Sequence, residues 1–288
     1  MKIQTIALLF LLSTYSSIAA SVDFEIIGFD NERYKKIDSS VRDISRILKS
    51  KHSETDKKIA IIFRSEKKIE KDLSEFDIVI YFYINHFKFK KIKSENTTAI
   101  FSGQPIDRQI SLALAINKES KRLSIPWLIP DQINDIDRSI KRYPDIKWNT
   151  PKLEGDSKDQ TKISKSLHDA DALIAIDDTD IYNAKSLRSI LLSAYRLRKP
   201  MIGPGPAFVK AGSMASVYSD LDAYLIELES LIESYLKSAD IPEPRWPKNF
   251  RLMINDNVAR SLGYLEIDRD AILEKIKNDE ITGNIPKP

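Results

Sequence analysis

The sequence predicts an α/β protein with parallel sheets, and three observations carry that prediction. Unbroken apolar runs such as KIAIIF (58–63), FDIVIYFYI (76–84) and ADALIAI (170–176) have the length and Ile/Val/Tyr content of strands buried on both faces. Segments with apolar residues at helical spacing alternate with them, and this strand–helix order runs through the first hundred residues and then repeats. At 288 residues the chain is long enough for two lobes or one large domain.

The elements follow in order. VDFEIIGF (22–29) reads as a strand, and a helix over about 31–50 carries Ile37, Val41, Ile44, Ile47 and Leu48 on one side. KIAIIF is a buried strand, Ser65 caps a short helix, and FDIVIYFYI and TTAIFS (97–102) are two further strands. A helix over 105–119 comes next, then the strand RLSIPWLI (122–129), placed near an edge or bent by Pro126. Asp131 caps a helix to about Arg142, DIKWN (145–149) is a short strand, and 157–169 is helical. After ADALIAI, Asp180 caps a helix that ends at Arg198 before Pro200. PMIG and 214–218 are strands, and Ser219 with Asp222 opens a long helix as a capping box. IPEPRWP (241–247) is a stiff connection, followed by FRLMIN and helices over 256–262 and 268–277.

The first twenty residues differ from the rest. Lys2, an apolar run from Ile6 to Leu12 and the small-x-small triplet Ser17-Ile18-Ala19 read as a secretory signal peptide over 1–19. That run is far short of the roughly 20 residues that span a bilayer, and no other segment is long and apolar enough. The reading is a soluble, exported, periplasmic protein. It has no cysteine, which excludes thiol catalysis, thiolate metal sites and a lipid-anchored cysteine. A formal net charge of +3 is near balance and argues neither for nucleic acid nor for an anionic membrane surface as partner, and no nucleic acid is expected. The three histidines are far apart, so no metal site is expected, and no G-x-S-x-G elbow or other catalytic motif is present.

Three of the eight glycines, Gly203, Gly205 and Gly212, fall between a short apolar run and a helix. Strand, glycine turn, helix is the order of a phosphate cradle. Pro204 and Pro206 each remove a backbone N–H that such a cradle needs, and neither GK[ST] nor G-x-G-x-x-G occurs. The better reading is a rigid turn at the carboxyl end of a strand, where open α/β sheets place their ligand crevice. No cofactor is expected.

The second half supplies DALIAIDD, PMIGPGPAFVKAGSMAS and FRLMINDNVARSLG in that order. Over about 165–265 it resembles the exported substrate-binding proteins of ABC transporters, in particular the group that includes binders of tryptophan and other aromatic amino acids. The resemblance implies a type I periplasmic binding fold: two Rossmann-like lobes with parallel sheets, the chain crossing between them more than once, and a ligand between the lobes. It implies an N-terminal lobe over 20–100, a C-terminal lobe over 101–215, a return segment over 216–240 and a proline-rich connection with C-terminal helices over 241–288. On this reading the crossings lie near Ile100 and Ser216, and the strand 215–218 returns to the first lobe. The implied partners are a small-molecule ligand, an amino acid or related amine, and a membrane transporter permease or sensor protein. The alternative is a ligand-free relative acting as an interaction or sensor-accessory protein; an enzyme is not expected.

Candidate ligand-binding residues follow. Asp177, Asp178 and Thr179, with Tyr182 and Asn183, come after a buried strand, and the carboxylates could hold an ammonium group; the plain alternative is a capped, solvated helix start. Strand alternation puts Tyr81 and Tyr83 on one face, where they could form an aromatic wall or simply pack the sheet. Ser102 and Gln104 flank Gly103 at the first crossing and offer hydroxyl and amide groups. Phe208 could close over the cleft or belong to the core.

Overall fold

The computed structural model describes residues 21–28, 35–63, 72–156 and 159–282. The expected signal peptide and the Ser65 helix cap lie outside these residues. Two sheets organise the chain. The first holds β1 (Val22–Ile27), β2 (Lys57–Phe63), β3 (Ile78–Ile84) and β4 (Thr97–Phe101) in sequential order, all parallel. The second has the order β10-β9-β8-β7-β5-β6, built from β5 (Arg122–Ser124), β6 (Lys147–Asn149), β7 (Ala172–Ile174), β8 (Met201–Ile202), β9 (Ala215–Tyr218) and β10 (Arg251–Ile254). Only β10 runs antiparallel to its neighbour.

In the first lobe, alternation along each strand feeds two cores. Ile59, Ile61, Ile78 and Ile80 pack with α1 (Lys35–Lys51) and with Leu228, Leu231 and Ile232 of α8 (Leu221–Ser238). Ala60, Ile62, Val79 and Tyr81 face the other way, onto Phe89 of the short helix α2 (His86–Lys90) and onto Trp246. In the second lobe, one core gathers residues of α3 (Ile106–Ile116), α4 (Pro130–Ile140), α5 (Asp159–His168), α6 (Ala184–Arg196), α9 (Asp256–Ser261) and α10 (Arg269–Ile281) around the sheet. Among the described residues no helix is long and apolar enough to cross a membrane.

The chain passes between the sheets through residues 102–105, 219–220 and 239–250. The strand expected to return to the first lobe does not: β9 lies in the second sheet between β8 and β10, and the chain crosses only after Tyr218. Three helix starts also differ from expectation, because other groups take the capping role. Asp178 Oδ1 holds the amides of Asp180 and Ile181 in a turn, so α6 starts later and is capped by Asn183. Ser219 donates to the Asn249 carbonyl, and Asp220 caps α8. At α4, Pro130 takes the first turn and Gln132, not Asp131, reaches back to the amides of Leu128 and Ile129. RLSIPWLI forms a strand only over β5, which sits inside the sheet and stops before Pro126.

The glycine turn is a packing device. A Cβ on Gly203 would fall 2.4 Å from the Phe208 Cβ in α7 (Pro206–Ala211), so the close approach of that helix excludes any side chain there. Gly212 ends α7 with φ 124°, in the region that favours glycine. Gly205 has an extended backbone, φ −174°, and nothing within 4 Å of its would-be Cβ. Gly203→Ala is therefore expected to lower stability by about 1–3 kcal/mol through overpacking, whereas Gly205→Ala leaves it unchanged. Urea unfolding of the two variants beside the wild type checks both.

Candidate functional site

The second sheet reverses its strand order between β5 and β7, since β6 lies outside β5 while β8, β9 and β10 continue on the far side of β7. Loops leaving neighbouring strands at such a switch point diverge and leave a crevice at the carboxyl ends. A cavity of about 240 Å³ occupies that place. Ala175, Ile176 and Asp177 follow β7 into it, and Pro204 follows β8. From α4, the helix after β5, Gln132, Asp135 and Ser139 project at helical spacing into the same wall, and Arg142 follows from the turn after the helix. The first lobe closes the opposite side with Asn85, His86 and Phe87 after β3 and Ser102 after β4, and the third crossing adds Trp246.

The cavity wall is apolar at Ile106, Ile136, Ile176 and Pro204 and aromatic at Phe87 and Trp246. Trp246 is fixed by an indole N–H donated to the Ser102 carbonyl at 3.2 Å and by edge contact with Phe101, ring centroids 4.7 Å apart. Most of the wall's polar groups already have partners within the chain. Gln109 bridges to the backbone of Val217 through both ends of its amide. Asp107 is buried, accepting from Ser139 Oγ at 2.9 Å and Arg142 Nη1 at 3.1 Å; burial, outweighing these donors, pushes its carboxyl above the usual range. Among the described residues, Arg142 Nε and Nη2 make no hydrogen bond.

Two contacts join the lobes across this cavity. At Asp177, Asn85 Nδ2 donates to the backbone carbonyl at 2.9 Å and Ser102 Oγ to Oδ2 at 3.3 Å. The carboxylate comes so near the first crossing that a Cβ on Gly103, φ 69°, would lie 2.8 Å from Oδ2. At Asp135, Lys90 Nζ approaches both oxygens at 3.0 and 3.2 Å and His86 Nδ1 lies 3.2 Å from Oδ2, while Arg138 pairs from the same helix. Burial alone would raise the Asp135 pKa; the His86 and Lys90 partners outweigh it and hold the carboxyl down to about 2.

Of the residues singled out in the sequence, Ser102, Gln104 and Asp177 stand on the cavity wall. Gln104 is committed to the crossings: its amide nitrogen donates to Ser219 Oγ and its oxygen accepts from Arg108. Asp178 pairs with Gln132 and holds the turn before α6, Asn183 caps that helix, and Thr179 is exposed away from the cavity. Tyr182 is buried against Phe208, ring centroids 5.8 Å apart, within the second-lobe core, and burial pushes its hydroxyl pKa far up. Tyr81 and Tyr83 do not share a face. A register shift between Phe82 and Ile84, with Tyr83 at φ 63°, turns Tyr83 onto Phe63 and Tyr224, while Tyr81 packs on Phe89. Neither tyrosine lines the cavity. The stripe Gln132-Asp135-Ser139-Arg142 and Trp246 were missed. The polar i, i+3, i+7, i+10 spacing in the first and the lone tryptophan between prolines in the second were the signals available.

No family model matches the chain, and no curated protein matches it. Solved structures do. An ABC domain in complex with L-Trp from Streptococcus pneumonia is 17% identical with a TM-score of 0.57, over 88% of this chain and 98% of that one. The ligand-free, open form of a substrate binding protein with adhesive properties from Clostridium difficile is 12% identical with a TM-score of 0.55, over 81% and 80%. A conserved domain protein from Vibrio cholerae is 15% identical with a TM-score of 0.54, over 83% and 82%. The likeness establishes the type I periplasmic binding fold.

Asp135 makes the site sensitive to acid. A carboxyl whose pKa is depressed in the folded state adds stability that is present above its ordinary value and is lost as pH falls through the folded one. A shift from 3.8 to about 2 corresponds to about 2 kcal/mol at neutral pH. The stability gap between wild type and Asp135→Asn is expected to be full at pH 6 and to close between pH ~4 and ~2; denaturant titrations across that range measure it.

Proposed function

We propose that this protein is an exported solute-binding protein that closes two lobes on a small organic ligand and presents it to a membrane transporter or sensor. One observation carries the reading: a cavity of about 240 Å³ at the strand-order switch point, walled by both lobes and by a crossing segment. A ligand touching both walls is held only when the lobes are together, so it shifts the population toward the closed form.

The wall chemistry favours a compact solute with an apolar or aromatic body and charges of both signs, an amino acid or related amine. The body would lie against Trp246, Phe87 and Ile136, an ammonium group near Asp177 and Ser102, and a carboxylate near Arg142. The start of the sequence supports export to the periplasm, since residues 1–19 carry the pattern of a signal peptide.

Thermal unfolding against a panel of amino acids, purines and small amines tests this. A ligand that binds only the folded protein adds about 2.7 kcal/mol of stability at a hundredfold excess over its Kd. A saturable rise in Tm is expected for at least one compound, lost in Asp177→Asn and Trp246→Ala. No rise across the panel would overturn the reading.

A further inference from the structure

The two lobes are joined at the mouth of the cavity by charged groups belonging to the chain itself. Asp135 on α4 of the second lobe receives Lys90 Nζ at 3.0 Å and His86 Nδ1 at 3.2 Å, both from α2 of the first lobe. The acceptor side chain is only 15% exposed and His86 only 20%, so solvent screens this contact less than an ordinary surface pair. His86 is held in place by ring contacts with Phe101 and Trp246, centroids 4.7 and 4.9 Å away. The same turn of chain supplies Asn85, whose side chain caps α2 through Oδ1 while its Nδ2 reaches the Asp177 carbonyl. One six-residue stretch, 85–90, thus grips the second lobe at two points, and neither grip needs a third body between the lobes.

We propose that Asp135 is a latch residue: its pairing with His86 and Lys90 populates the closed arrangement of the lobes without solute, so that solute deepens a closure the protein already favours. The latch acts by positioning α4 against α2, and it makes the closed surface available to a membrane partner at low solute concentration. This inference concerns the lobe equilibrium of the solute-free protein and stands or falls separately from the identity, or the existence, of a solute.

The absence of cysteine makes the test clean. Glu95→Cys in the first lobe and Lys141→Cys in the second, both exposed, take spin labels whose separation is read by pulsed dipolar spectroscopy on solute-free protein. In the wild-type background one dominant short-distance population is expected. Asp135→Asn and, separately, Lys90→Gln should shift the closed-to-open ratio toward open by about tenfold, equivalent to ~1.4 kcal/mol. Asp137→Asn, an exposed acid on the same helix, should leave the distribution unchanged. Circular dichroism confirms that each variant folds, and if Asp135→Asn does not, Lys90→Gln decides. A broad or long distribution in the wild type, or one unchanged by a folded latch variant, overturns the proposal. A failed solute panel beside a short wild-type distance would overturn the solute reading and leave the latch standing; a successful panel beside an open wild type would do the reverse.

Discussion

The guanidinium of Arg108 lies where every passage of chain between the lobes meets, and the rest of the architecture depends on it. The side chain is wholly buried, over the ring of Phe250 at 4.1 Å. Nη1 donates to Gln104 on the first crossing and to the Pro247 carbonyl on the third, and Nε pairs with Glu280 of α10 at 2.6 Å. Gln104 in turn donates to Ser219 on the second crossing, and Ser219 to Asn249 on the third. A buried cation is tolerated only with such a set of partners, and the set ties the crossing segments to one another, although Nη2 is buried without a hydrogen-bond partner among the described residues. Glu227 of α8 reinforces this tie, pairing with Arg245 and accepting the Lys248 amide.

Sheet topology decides what each lobe brings to the cleft. The first sheet runs β1 to β4 in sequence and has no reversal, so its loops leave in one sense and open no crevice. It contributes a rim: the Asn85 turn and the Ser102–Gly103 corner. The second sheet reverses between β5 and β7 and supplies the wall, through the segment after β7 and the inward face of α4. The left-handed backbone of Gly103 lets that corner approach Asp177 without a side chain between them. The third crossing adds to both functions, since Arg245 bridges to Ala99 and Phe101 along β4 and Trp246 turns to the cavity.

The strand–helix order and the parallel sheets were legible because they rest on local periodicity and on apolar runs such as KIAIIF and ALIAI. The cavity was legible only in part. Asp177 and Ser102 could be found because each follows a strand whose end the sequence marks. Asp178 looked equivalent to Asp177, yet its neighbours' amides and Gln132 claim it, a local preference that adjacent identical residues conceal. The tyrosines misled because alternation holds only while register does, and no residue type at 82–84 announces the shift that turns Tyr83 to the opposite face. The resemblance implies that strand 215–218 returns to the first lobe, yet it pairs with β8 and β10, a long-range fact that local sequence does not carry. The pairing of Asp135 carries no local mark beyond the polar spacing of its helix face, since its partners on the other lobe are 45 and 49 residues away in sequence.

The distribution of polar bonds in the cleft bears on what it could accept. Asp107 already faces Ser139 and Arg142, Asp135 faces Lys90, Arg138 and the His86 ring, and Gln109 is tied to the β9 backbone. A charged guest that meets no group of opposite sign leaves its charge unmatched in a largely apolar space, and an unmatched buried group costs about 1–3 kcal/mol or more. On the proposed reading, a guest with charges of both signs avoids the penalty if its ends reach Asp177 and Arg142 Nε and Nη2, which make no hydrogen bond among the described residues. A neutral guest avoids it too, gaining only the contact of its body with Trp246, Phe87 and Ile136. On the proposed reading the walls would select first by shape and by the balance of charge, because many of the cleft's polar groups are already paired, within the second lobe at Asp107 and Gln109 and across the lobes at Asp135.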